Sequence, residues 1–427
     1  MTEVKSAEES SLTDDFLGQL ISVGEVDILV GVPTHNNAKT IGPIVEAIQA
    51  GLLTFFPRER VAIINADGGS RDGTPGLVVN AAIGDERRSS KMYTLRTLHS
   101  ISTQYASSPA GGTALRTILS AAELLRAKAC AVISPESTQM TTDWLAALLR
   151  PVYAETFDLV LPTYRRHRFD GILLTNLLYP MTRALYGSEI REPYASEYAF
   201  SGRLGSHFLT QNPWHEEIAR AGSEIQFTLS AIAGGYRICQ SFLGTKQHVE
   251  RHSADLVPAL RQTVGALFSS LEPNFSLWST KTGSQPILTT GAEQEFTLEP
   301  LRINRKRLRD MFSTGVTELE SVFRAILSAS TLAELQRISG LDEEHFRYSD
   351  ELWVKTVYEF AVAYHKSVIS RDHVIQALAP LFRGRAFTFL MENRDGSAGD
   401  VENNIEGLCL AFERMKPYLL GRWNGRE

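Results

Sequence analysis

Five turn-like stretches of this sequence gather the residues that could do chemistry: Pro33-Thr34-His35-Asn36-Asn37, Asp67-Gly68-Gly69-Ser70-Arg71-Asp72-Gly73-Thr74, Ser108-Pro109-Ala110-Gly111-Gly112-Thr113-Ala114-Leu115, Ser134-Pro135-Glu136-Ser137 and Tyr164-Arg165-Arg166-His167-Arg168. An exposed carboxylate at Asp67 can accept hydrogen bonds from a base N–H or a ribose hydroxyl, while Gly68 and Gly69 let backbone come close to a ligand. Ser70 and Asp72 read as caps of the following helix. Short polar side chains at Thr34, Asn36 and Asn37 suit the same nucleoside, or simply cap the helix that follows. Glycines at 111 and 112 open a helix, where free N–H groups and the helix dipole suit a phosphate; an ordinary helix start is the plainer alternative. The densest basic run, Tyr164–Arg168, follows a strand, so Arg165 and Arg166 could pair bidentately with an anion.

Those turns need elements to hold them. Val26–Pro33 and Val61–Asn65 are apolar runs flanking a helical segment from about Lys39 to Leu52, which makes a βαβ unit whose strand ends open onto a ligand crevice. Further strands are expected at Leu95–Leu98, Ala129–Ile133, Asp158–Pro162, Tyr198–Gly202 and Tyr236–Phe242. Between them the spacing predicts helices at Gly111–Leu125, from Thr141 or Thr142 to Leu149, at Gly171–Gly187, Leu204–Thr210 and Glu224–Ala233. Short strands alternating with helices point to an α/β class with a mostly parallel sheet. After His252 the apolar spacing is three and four, predicting helices over Asp255–Leu271, Val316–Leu327, Thr331–Ser339, Glu351–Ser367, Arg371–Leu381 and Glu402–Leu419, with a long loop at Thr280–Gln294.

At 427 residues the chain exceeds a single core, so three parts are expected: a flexible segment 1–24, a nucleotide-binding domain 25–252 and a helical module 253–427. A net charge of −6 gives no general attraction to nucleic acid or an anionic membrane. No apolar run is long enough to span a bilayer. The polar N-terminus lacks the pattern of a secretory signal and carries a short helix at Asp15–Ile21. Cys130, Cys239 and Cys409 are widely spaced and read as buried thiols, which fits a reducing cytoplasm.

The order of these motifs over Val26–His252 resembles the family 2-like glycosyltransferases of the GT-A fold, and within them the retaining glucosyl-3-phosphoglycerate and mannosylglycerate synthases. The resemblance implies a GT-A domain with a helical C-terminal module that closes the acceptor side or forms a homodimer interface. It implies a hexosyltransferase that moves a sugar from a UDP- or GDP-linked donor to a small, anionic acceptor with retention. Donor contacts would come from Pro33, Thr34, Asn36, Asn37, Asp67, Gly111, Gly112 and Glu136. Mg2+ or Mn2+ would be held by Glu136 and by His248, which falls where the family places a metal-ligating histidine. Glu197 and Glu224 would be the catalytic carboxylates, and Arg165 and Arg166 would meet the acceptor. The sequence departs from the family pattern in Ser134, which stands for the first Asp of Asp-x-Asp, in the missing lysine of the glycine loop, and in Gly171-Ile172, which stands for the Gly-Arg of phosphoglycerate-using relatives. Two other classes fit the same fold: a non-catalytic sugar-nucleotide-binding protein with a decayed metal motif, and a nucleotidyltransferase.

Overall fold

The computed structural model describes residues 12–83, 98–104, 111–211, 223–246, 256–291 and 303–425. In chain order its main elements are α1 (Asp14–Val23), β1 (Ile28–Thr34), α2 (Ile41–Phe55), β2 (Val61–Asp67), α3 (Thr74–Ile83), β3 (Leu98–Gln104), α4 (Gly111–Leu124), β4 (Ala129–Val132), α5 (Asp143–Tyr153) and β5 (Leu159–Arg165). There follow α6 (Tyr179–Tyr186), β6 (Ser188–Glu189), β7 (Tyr198–Ser201), α7 (Gly202–Thr210), α8 (Ser223–Ala233) and β8 (Ile238–Thr245). The C-terminal helices are α9 (Arg305–Glu318), α10 (Glu320–Ile326), α11 (Ala329–Ser339), α12 (Asp350–Lys366), α13 (Arg371–Glu392) and α14 (Ala398–Trp423).

The chain falls into two compact units that do not follow it linearly: the first takes 1–162, 195–223 and 234–243, the second 163–194, 224–233 and 244–427. In the first unit the strands lie in the order β8-β5-β7-β4-β1-β2-β3. β1 pairs in parallel with β2 and β4, and β2 with β3, whereas β7 runs antiparallel to β4 and β5. Every residue of β2 and β4 is buried, and only Pro33 of β1 is not, as expected for strands covered on both faces. Right-handed crossovers put α2 and α3 on one face as the chain steps from β1 to β2 to β3, and the return from β3 to β4 puts α4 on the other. Contact there is close: a Cβ on Gly31 of β1 would lie 2.4 Å from Cγ2 of Ile118 in α4. The expected α/β class is what forms, with strand β3 displaced from Leu95–Leu98 to Leu98–Gln104, a polar sequence that pairs in register with β2 at the sheet edge.

The second unit is predominantly helical. Its core includes Tyr179 of α6 with Phe389, Val401, Ile405 and Cys409 of α13 and α14. Five residues, Leu174–Leu178, form a π-helical turn ahead of α6. Within it the Asn176 carbonyl accepts from Trp353 Nε1 (2.7 Å) and its Oδ1 accepts from Arg385 Nε (2.9 Å). Cys130, Cys239 and Cys409 are free and buried. No helix among the described residues is long and apolar enough to cross a membrane.

Candidate functional site

The strand order reverses direction between β1 and β4, and ligands of open α/β sheets bind at the carboxyl ends of strands at such a switch point. Two turns occupy that position in the first unit: the one leaving β1 at Thr34 and the one leaving β4 after Val132. The turn leaving β2 at Asp67 lies beside the first, because Thr34 and Asp67 are register partners.

These two neighbouring turns are laced together by hydrogen bonds. Asn36 N donates to Ser70 Oγ (2.8 Å), Arg71 N to Asn36 Oδ1 (3.0 Å), Asn37 N to Thr74 Oγ1 (2.9 Å) and Ala38 N to Asp72 Oδ2 (2.9 Å). Asn37 Oδ1 accepts from His35 N (2.7 Å), and Asn36 adopts φ 57°, a left-handed position that asparagine tolerates. His35, which the sequence did not single out, bonds the Gly68 carbonyl through Nδ1 (2.9 Å) and Asn36 Nδ2 through Nε2 (3.1 Å). A carbonyl only accepts and an amide NH2 only donates, so both contacts are met by a neutral imidazole with its proton on Nδ1. Its signal was the turn position alone, which a lone histidine does not make specific.

Asp67 departs from the expected exposed carboxylate. It is fully buried, with Oδ1 accepting from Thr34 Oγ1 (2.8 Å) and Ser70 Oγ (2.6 Å) and Oδ2 from the N–H groups of Gly69 (3.0 Å) and Ser70 (2.8 Å). Four donors saturate it, so it holds the turn in shape instead of reaching out. Thr34 is likewise buried and also accepts from Asn65 Nδ2 (2.8 Å). Ser70 serves Asp67 and Asn36 and caps no helix, whereas Asp72 accepts from Thr74 N and Oγ1 at the start of α3. Hydrogen bonds from Thr74 Oγ1 and Ala38 N hold the Asp72 carboxyl below the usual carboxylate range.

At β4 the arrangement differs. Glu136 is exposed on a tight turn in which its N–H donates to Ser134 Oγ (3.2 Å) and Ser137 N donates to the Ser134 carbonyl (3.2 Å). Ser137 is buried, and its hydroxyl donates to Glu197 Oε1. Glu197 reaches this place because it immediately precedes Tyr198, the β7 residue paired with Val132 at the end of β4. With no exposed surface, Glu197 braces the turn that displays Glu136 and does not itself face solvent. Ser137 had no signal in the sequence, since its partner is distant along the chain.

Gly111 and Gly112 are the first residues of α4, as expected, while 108–110 lie outside the described residues. His248 and His252 also lie outside them. No group of three or more His, Cys, Asp and Glu side chains that could hold a metal occurs among the described residues. One exposed carboxylate at Glu136 still fits a Mg2+-class ion, which keeps waters and substrate phosphates and uses one or two protein carboxylates.

The remaining expected residues belong to the second unit. Arg166 does not present its guanidinium to a ligand: it is held bidentately by Glu192 (Nε–Oε1 2.8 Å, Nη2–Oε2 2.9 Å) and by Asp170 (3.1 Å). Burial opposes its charge, but Glu192 and Asp170 outweigh burial and raise its pKa. Arg165 is the last residue of β5, half-buried, with its carbonyl accepting from Lys246 N (3.2 Å). Glu224, in the first turn of α8, lies near Tyr194, whose phenol is pushed up first by that carboxylate and then by burial.

No protein-family model and no curated protein sequence matches the chain. Among solved structures it is similar to glucosyl-3-phosphoglycerate synthase from Mycobacterium tuberculosis in complex with Mn2+, UDP and glucosyl-3-phosphoglycerate, at 21% identity and a TM-score of 0.43, covering 62% of this chain and 86% of that one. Similar values hold for the complex of that synthase with Mn2+, UDP and phosphoglyceric acid, at 22% identity and a TM-score of 0.43 over 62% and 84% of the two chains. A further mycobacterial protein is similar at 19% identity and a TM-score of 0.40, over 62% of this chain and 80% of its own.

Proposed function

We propose that the first unit binds a UDP- or GDP-linked sugar across the carboxyl ends of β1 and β4, and that the protein is a glycosyltransferase moving a hexose to a small anionic acceptor. The observation that carries this reading is the placement of an exposed carboxylate, Glu136, at the switch point, on a turn braced from beneath by Ser137 and Glu197. The laced turns of 34–38 and 67–74 form a rigid rim whose backbone can orient a nucleoside without paying for reordering. Glu197 is a positioning residue: it fixes Ser137 and so the direction in which Glu136 points. A bound Mg2+ or Mn2+ would be held by Glu136, with His248 as the second expected ligand, and would supply positive charge against the growing charge of a leaving diphosphate. No protein nucleophile is demanded when the diphosphate itself can take the acceptor proton.

A second reading, a non-catalytic sugar-nucleotide-binding protein, is favoured by Ser134 at a position where a second carboxylate would complete the metal motif. Calorimetric titration of UDP-glucose and GDP-mannose with and without Mn2+ separates the two. Metal-stimulated binding with slow donor hydrolysis is expected, and Glu136→Gln should weaken the metal-stimulated part about tenfold or more while leaving the circular dichroism unchanged. Ser137→Ala should weaken it less. Metal-indifferent binding without turnover would establish the second reading, and preference for free nucleoside triphosphates would replace both with a nucleotidyltransferase.

A further inference from the structure

His35 is exposed on the rim, yet its ring is engaged at both nitrogens, Nδ1 on the Gly68 carbonyl (2.9 Å) and Nε2 on Asn36 Nδ2 (3.1 Å). The first contact crosses from the turn after β1 to the turn after β2. The second reaches a side chain that makes the same crossing, since Asn36 Oδ1 accepts from Arg71 N (3.0 Å). One ring thus joins two bridges between the turns. We propose that His35, in its neutral form, is a positioning residue of the nucleotide rim, acting through Asn36 and Gly68. That the rim receives a nucleotide rests on the function proposed above, whereas the lock between the turns does not.

A backbone N–H only donates, so the Asn36 oxygen must face Arg71 and its NH2 must face the imidazole. An unprotonated Nε2 accepts from that NH2 while Nδ1–H serves Gly68. A second proton on the ring sets N–H against NH2 at 3.1 Å, a contact between two donors. Turning the Asn36 amide over removes that conflict and creates another, because its NH2 then meets the Arg71 N–H. Flipping the ring restores no acceptor, since both nitrogens of imidazolium donate. Protonation therefore costs the rim one hydrogen bond in every arrangement.

The charged groups on the turn packed against the ring are Asp67, Arg71 and Asp72, and Lys39 follows on its own side. Asp67 is buried and saturated by four donors. Asp72 accepts from Ala38 N, Thr74 N and Thr74 Oγ1. Arg71 and Lys39 carry the same sign as an imidazolium. His35 pairs with no carboxylate among the described residues, so its protonated ring gains no ion pair in exchange for the contact it loses. The bonds from Asn36 N to Ser70, Asn37 N to Thr74 and Ala38 N to Asp72 do not involve the ring, so in acid the turns loosen without separating.

Imidazole ordinarily changes charge between about pH 5 and 8, so hydrogen exchange of the full chain at about pH 8 and about pH 5.5 tests the lock without a ligand. After correction for intrinsic exchange rates, protection of the peptides carrying the Asn36 and Arg71 amides should fall about threefold or more in acid, the scale of one hydrogen bond. His35→Gln keeps a donor and an acceptor and takes no charge, so its protection should stay level; His35→Ala should be poorly protected at both pH values. Calorimetric titration of UDP-glucose and GDP-mannose with Mn2+ should follow the exchange, wild type weakening about threefold or more in acid relative to His35→Gln. That comparison cancels any titration at the metal. Level protection in wild type, or an equal fall in His35→Gln, would overturn the proposal, as would a donor affinity that ignores the loss of protection. Absence of donor binding by wild type at about pH 8, with exchange as expected, would support the lock and overturn the function proposed above.

Discussion

Asp27, just ahead of β1, takes hydrogen bonds from Arg60 N (3.0 Å) and Nε (3.3 Å) and an ion pair from Lys128 (3.0 Å). Burial works to raise its pKa, yet the Arg60 hydrogen bonds and the Lys128 charge outweigh it and leave the carboxyl at about 2. The folded value lies below the unfolded one, so the stabilisation is present above about pH 4 and is lost as pH falls towards 2. Both basic partners are substantially exposed, which screens the pair and cuts its worth to about 1 kcal/mol. Asp27→Asn should therefore lower the urea-unfolding free energy by about 1 kcal/mol at pH 7 and by almost nothing near pH 2; a deficit that persists in acid would point to lost packing instead. At this scale the sequence showed which residue types could matter, and it placed Glu136 in a turn at the end of a strand. It could not show that Asp67 and Arg166 spend their polar groups inside the protein, because their partners Thr34, Glu192 and Asp170 are joined to them only by folding.

Helices α9 and α13 approach each other through glycines. A Cβ on Gly384 would lie 2.4 Å from Cδ2 of Phe312, and one on Gly315 would lie 2.3 Å from Cβ of Pro380. Alanine is worth about 1 kcal/mol over glycine in a helix, but overpacking of this kind costs about 1–3 kcal/mol. Gly384→Ala should therefore be net destabilising, whereas Gly407→Ala in α14, where an added Cβ meets nothing within 4 Å, should stabilise by about 0.5–1 kcal/mol. Chemical denaturation of the two variants side by side checks both signs; a Gly384→Ala protein as stable as wild type would mean that Phe312 moves aside freely. The same contact explains an element the spacing placed only in part. α13 was expected to stop at Leu381, near Pro380 and Gly384, yet it runs on to Glu392. Its partner α9 begins at Arg305 in a highly basic stretch with only Phe312 and Val316 buried, so its apolar period is too sparse to predict a start before Val316.

The second unit draws its core from two distant parts of the chain. Arg183 of α6 pairs with Glu406 (2.6 Å) and Glu413 (2.9 Å) of α14, and Tyr179 packs among α13 and α14 side chains. A fragment comprising residues 253–427 would leave that apolar face uncovered and those carboxylates unpaired, so it should melt without a cooperative transition and disperse its amide resonances poorly. A sharp transition in the isolated fragment would show that the helices carry their own core. Hydrophobic period and turn chemistry are local, and they sufficed to place the alternating strands and helices, the three buried cysteines and the helical C-terminal part. Strand order, the switch point between β1 and β4, and the pairing of Ser137 with Glu197 arise from contacts across tens to hundreds of residues, whose loop-closure cost is repaid only when the whole core forms. Tertiary structure alone therefore decided which of the nominated carboxylates faces solvent and which ones hold the turns in place.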